Sequence, residues 1–81
     1  MQISREYSRA EQDELLADFP VEWQAVAEFL GEDLKELTFD KATSFRHPNR
    51  DRSVQLEFAG RSGRTVWVRV KGTSVLKILD G

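Results

Sequence analysis

Residues 53–79 read SVQLEFAGRSGRTVWVRVKGTSVLKIL, and the alternation within them decides the fold. Val54, Leu56 and Phe58 alternate with Gln55 and Glu57; Val66, Val68 and Val70 alternate with Trp67, Arg69 and Lys71. Successive side chains of a strand point to opposite faces, so each run has one apolar face and one mostly polar face. Gly60-Arg61-Ser62-Gly63 is a short link of the hairpin kind, and Gly72 breaks the next pair of runs. In the third run, Ser74 to Leu79, the spacing predicts Leu76 and Ile78 on the apolar face. Val75, Lys77 and Leu79 then point outward with Trp67 and Arg69.

Register follows from charge. With Val70 opposite Leu76, Arg69 faces Lys77, and like charges directly opposite are destabilising. With Val70 opposite Ser74, Lys71-Gly72-Thr73 is a three-residue loop and Trp67 faces Lys77, a mildly favourable cation–indole pair. The second register is the one expected.

Upstream, Ile3, Arg5 and Tyr7 alternate with polar neighbours, so Met1 to Tyr7 reads as a short edge strand. Ser8 and Glu11 have capping-box spacing and place a helix start at Ser8. Gln12, Leu16, Phe19, Trp23, Val26, Ala27 and Leu30 form a helical stripe, with Leu15 at its margin. Pro20 interrupts the run, so one long kinked helix or two short helices laid end to end are expected. Gly31 is the C-terminal stop, and Leu34 and Leu37 continue in helical phase. Leu37, Phe39 and Phe45 then share one strand parity, which Lys41 and Thr43 spoil; a β-bulge near Lys41, or an edge position for the strand, would account for that. Arg46 to Arg52 is a polar loop turning at Pro48-Asn49.

The expected fold is α+β in two layers. One kinked helix or two short helices, within residues 8–31, cover a four-stranded antiparallel meander over residues 36–80, with a short N-terminal strand added. The whole chain, residues 1–81, reads as one domain. In order of elements alone this resembles the cystatin-type helix on a curved sheet, and order carries no function.

Composition narrows the function classes. With 40% apolar and 32% charged residues the chain is of globular type. It has no cysteine, hence no disulfide and no thiolate chemistry. No run reaches the roughly 20 apolar residues of a membrane span. The first residues lack the apolar segment of a leader. A cytoplasmic protein without membrane contact is therefore expected. His47, the only histidine, sits beside Pro48 in a turn and reads as a solvated loop residue. Without cysteine, zinc ligation would need several carboxylates to converge on it. No glycine-rich phosphate loop is present. No catalytic residue, metal site or cofactor is expected, and the chain is read as a non-enzyme.

Charge is unevenly placed. Residues 1–40 carry eleven acidic and three basic side chains, a net of −8; residues 41–81 carry three acidic and nine basic, a net of +6. Such asymmetry points to a charged partner, unless the two halves neutralise each other within the fold. The favoured reading is a small accessory protein of the inhibitor or immunity type, as bacteria and phages encode. It would bind another protein through an outer sheet face of Trp67, Arg69, Val75, Lys77 and Leu79, or through its acidic helix face. The alternative is a single-stranded nucleic-acid binder that stacks bases on Trp67, with Arg46, Arg50, Arg52, Arg61 and Arg64 around it.

Overall fold

The computed structural model describes residues 2–81. Strand β1 (Gln2–Tyr7) leads through a 3₁₀ turn to helices α1 (Gln12–Asp18) and α2 (Pro20–Leu30). A second 3₁₀ turn precedes β2 (Thr38–Arg46), β3 (Arg52–Ala59), β4 (Thr65–Lys71) and β5 (Ser74–Asp80). The five strands form one antiparallel sheet in the order β1-β2-β3-β4-β5. The two-layer α+β reading holds, and the N-terminal strand is its fifth member; Met1, assigned to that strand from sequence, lies outside the described residues.

Each helix boundary has a local cause. The Ser8 N–H donates to Glu11 Oε1 at 3.0 Å and the Ser8 hydroxyl to the same oxygen at 2.9 Å. These bonds, with Arg5 nearby, hold the Glu11 carboxyl below its ordinary value. The chain breaks at Phe19 (φ −133°, ψ 60°), and Pro20 opens α2 at its first position, where its missing N–H costs nothing. There are thus two short helices. The break also resets rotation: Leu15 is buried and Leu16 only half-buried, the reverse of the expected stripe. From Leu15 the stripe runs through Phe19, Val26 and Leu30, all buried.

Gly31 ends α2 at φ 56°, ψ −127°, a region only glycine occupies without strain. A Cβ there would meet nothing within 4 Å, so the penalty of adding one is purely conformational. Gly31→Ala is expected to cost roughly 1–2 kcal/mol, read as a lower urea midpoint at unchanged denaturant slope.

Between the layers, α1 lies over β1 and β2, and α2 over β4 and β5. Val54, Leu56 and Phe58 of β3 and Val66, Val68 and Val70 of β4 are buried beneath them, as the alternation requires. Trp23 packs edge-on against Phe39 and tilted against Phe58, both with ring centroids at 6.1 Å. It is half-buried, as is Trp67 on the opposite face. The bulge expected near Lys41 falls between Phe39 and Lys41. A second bulge between Ile3 and Arg5 places Ile3 opposite Phe45 and Tyr7 opposite Ala42, so only Tyr7 reaches the core.

The last hairpin departs from both registers considered. Val70 faces Val75 and Lys71 faces Ser74, leaving Gly72-Thr73 as a two-residue loop. Gly72 has φ 61°, the positive value such a loop needs at its first position. A one-residue change of register exchanges the faces of a strand. Leu76 therefore points outward at 66% exposure, and Val75 packs on the core. A bulge then intervenes: Lys77 faces Val68 while Leu79 faces Trp67, and Ile78 is the extra residue, 44% exposed.

Candidate protein-docking surface

The register shift divides the expected site. Trp67, Arg69 and Leu79 lie on the outer sheet face, joined by Leu76, which sits opposite Arg69. Val75 and Lys77 lie on the helix side. There the Lys77 ammonium stands 5.9 Å from the centre of the Phe29 ring and donates to Asp80 at 3.1 Å. Lys77 therefore cannot flank Trp67. Arg69 is also engaged: its guanidinium donates to Gln55 Oε1 at 2.8 Å and lies 5.6 Å from the Phe45 ring centre. Trp67 Nε1 and Arg69 Nε are buried without an acceptor. These two side chains are packed into the sheet surface more than offered to a partner.

Beside them, the Glu57 carboxyl is pushed up by burial and by the neighbouring Asp40 carboxyl, with Lys41 at 4.0 Å opposing. The row Lys41, Glu57, Trp67, Leu79 crosses four strands in register. Within it Lys41 and Glu57 form an ion pair at 4.0 Å, while the Trp67 Nε1 has no acceptor.

Exposed apolar area concentrates elsewhere. Val21 (55%) and Phe29 (46%) stand on α2, while Leu76, Ile78 and Leu79 stand on β5; Ile3 is alone at the far edge. Five large apolar side chains thus surround the one sheet edge formed by β5. Between α2 and β5 runs a groove of about 730 Å³, lined by Pro20, Val21, Ala25, Phe29, Thr73 and Val75. Of the five, Val21 and Phe29 line this groove, while Leu76 and Leu79 stand on the outer sheet face. Val21 and Phe29 carried a readable signal: they are large apolar residues on the helix face outside the core stripe.

Electrostatics decide what the groove suits. Ion pairs form mostly within each half of the chain. Arg5 holds Glu11, Glu14 and Asp18, and Arg9 holds Asp40. Lys71 holds Asp51, and Arg64 and Lys77 share Asp80. Among the described residues only Arg61–Glu36 and Arg64–Asp33 join the two halves. Direct pairing between the halves is confined to those two contacts. Asp13, Glu22 and Glu28 on the helices form no ion pair among the described residues, and Gln24 donates to Glu28 at 3.1 Å. Glu28 also lines the groove.

The arginines of the nucleic-acid reading separate. Arg61 and Arg64 sit at the β3–β4 end, paired with carboxylates. Arg46, Arg50 and Arg52 lie at the β2–β3 end. Arg52 stacks over Phe19 at 4.7 Å from the ring centre, on the face opposite Trp67. They do not encircle the indole. His47 is not the solvated residue expected: it is half-buried, its Nε2 2.9 Å from Ser53 Oγ. Among the described residues no three potential ligands gather around a metal position. No helix of the described residues is long and apolar enough to cross a membrane.

Comparison with known proteins finds no family model, no curated protein and no solved structure that matches this chain.

Proposed function

We propose that this chain is a non-enzymatic accessory protein of the cytoplasm that binds another protein, as an inhibitor or immunity-type module does. The observation that carries the reading is the α2–β5 groove, apolar along its floor and bordered on α2 by Glu28, which has no cationic partner among the described residues. The occupant it fits is a basic amphipathic helix. Apolar residues at helical spacing would cover Val21, Phe29 and Val75, and a lysine or arginine would face Glu28. The cations near β5 are already held by Asp80 and Gln55, so an acidic partner finds little to meet there. A protein of this kind would mask a basic surface on a larger partner.

Two synthetic amphipathic peptides with one apolar face test this, one carrying lysines on its polar face and the other glutamates. The lysine peptide is expected to bind and the glutamate peptide not. Val21→Ser with Phe29→Ser should weaken binding at least about tenfold, since apolar anchors dominate such interfaces. Both side chains are exposed, so the melting midpoint should barely move. Equal binding of the two peptides, or undiminished affinity in the double variant, removes the groove as the docking site.

A further inference from the structure

A second site lies away from β5, under the junction of α1 and α2. The β2–β3 register places Arg46 directly opposite Arg52. Like charges directly opposite on neighbouring strands destabilise a sheet. Neither guanidinium forms an ion pair or a side-chain hydrogen bond among the described residues. That is unusual in a chain whose other strand cations mostly find a carboxylate. Arg50, in the connecting loop, is also unpaired there, and it holds φ 70°, a strained value for a residue with a Cβ.

Both arginines open into one cleft of about 290 Å³. Its apolar wall is Phe19, over which Arg52 stacks, and its inner wall is Tyr7 and the buried Ser44. Arg5 also lines it, but is held by Glu11, Glu14 and Asp18. Asp18, the one carboxylate lining the cleft, is occupied by Arg5 and by the Tyr7 hydroxyl. What remains unengaged is positive. The volume sits at the lower limit of small-molecule pockets, roughly 300 Å³, which suits one oxyanion group better than a whole nucleotide.

We infer that this cleft binds a dianionic phosphate monoester between Arg46 and Arg52. Guanidinium groups present paired N–H donors that match phosphate oxygens, and two of them balance a double negative charge. The ion relieves the repulsion that the register builds in. The site stands on a different face from the α2–β5 groove, and its existence does not depend on the groove having a partner.

The inference makes an opposed pair of expectations. Arg46→Gln removes the repulsion, so without phosphate the variant melts no lower than the wild type. The same change removes the response to phosphate. In the wild type, inorganic phosphate should raise the melting midpoint by about 6–11 °C when tenfold above its dissociation constant, against sodium chloride of equal ionic strength. Phenyl phosphate, a dianionic monoester, should act alike. Dimethyl phosphate, a monoanionic diester like a nucleic-acid backbone unit, should not. Because Arg52 also packs on Phe19, Arg52→Lys serves as its folded control, keeping the charge but losing the paired donors and part of the response. If phosphate does no more than chloride, or Arg46→Gln responds as the wild type does, the site does not exist. If dimethyl phosphate competes equally, the monoester assignment is wrong.

Discussion

Phe58→Ala is expected to lower stability by about 3–5 kcal/mol, the range for a large aromatic removed from a core. Phe58 is fully buried, and it joins three strands: it faces Phe39 on β2 and Val66 on β4. Its ring lies 6.1 Å from those of both Phe39 and Trp23, so its loss opens the centre of the aromatic cluster that binds α2 to the sheet. A chain of this size is expected to hold only about 4–12 kcal/mol in all. Much of the variant should therefore be unfolded at modest urea. Phe58→Leu keeps most of the volume and should cost markedly less. A loss below about 1 kcal/mol for the alanine variant, from urea melts at 25 °C, would contradict this placement of the core.

The cluster around Phe58 was legible because β3 and β4 are central strands with unbroken alternation. Neighbours on both sides fix their register, so a period of two translates directly into burial. β5 was not legible for two physical reasons. Its phase depends on the number of residues in one turn, and Gly72-Thr73 closes the hairpin with two where charge repulsion between Arg69 and Lys77 had suggested three. It then loses phase again at Ile78. Each event exchanges inner for outer, and an edge strand has no second neighbour to constrain it. Leu76 thus became surface and Val75 core, and two of the five expected docking residues, Val75 and Lys77, changed face.

A similar loss of phase accounts for α1. The break at Phe19 lets seven residues rotate as a separate helix, and burial then settles on Leu15. The bulge near Lys41 was readable because Lys41 and Thr43 fall on the parity of Phe39, and one extra residue in the strand turns them to the outer face. Ala42 and Ser44 are buried in their place. Charge asymmetry was legible as composition, but its meaning was not. Only the geometry shows that Arg5 and Arg9 serve acidic neighbours of their own half, leaving the outer helix carboxylates and the pair Arg46 and Arg52 uncompensated on different surfaces.

Tyr7→Phe should convert a pH-dependent part of the stability into a fixed loss. The Tyr7 hydroxyl donates to Asp18 Oδ2 at 2.6 Å, and its ring meets Phe19 edge-on with centroids 6.4 Å apart. Burial, reinforced by the Asp18 carboxylate, pushes the phenol up to about 12, while Arg5 over the ring opposes the shift. In the unfolded chain the phenol ionises near 10. The folded state therefore holds the proton more tightly, and the stabilisation is fully present below about pH 10 and lost as pH rises toward 12. A difference of about two units corresponds to about 2–3 kcal/mol. At pH 7 the variant should be weaker by about 1.5–3 kcal/mol, the contribution of a hydrogen bond to a charged acceptor. Lysines also titrate near pH 10.4, so the informative quantity is wild type minus variant, from urea midpoints at pH 8, 10, 11 and 12. That difference should shrink toward zero across the interval, with tyrosinate absorbance of this single tyrosine rising over the same range. A difference that stays constant from pH 8 to 12 would mean the Tyr7 proton is not held by the fold, and that the bond to Asp18 does not tie β1 to the end of α1.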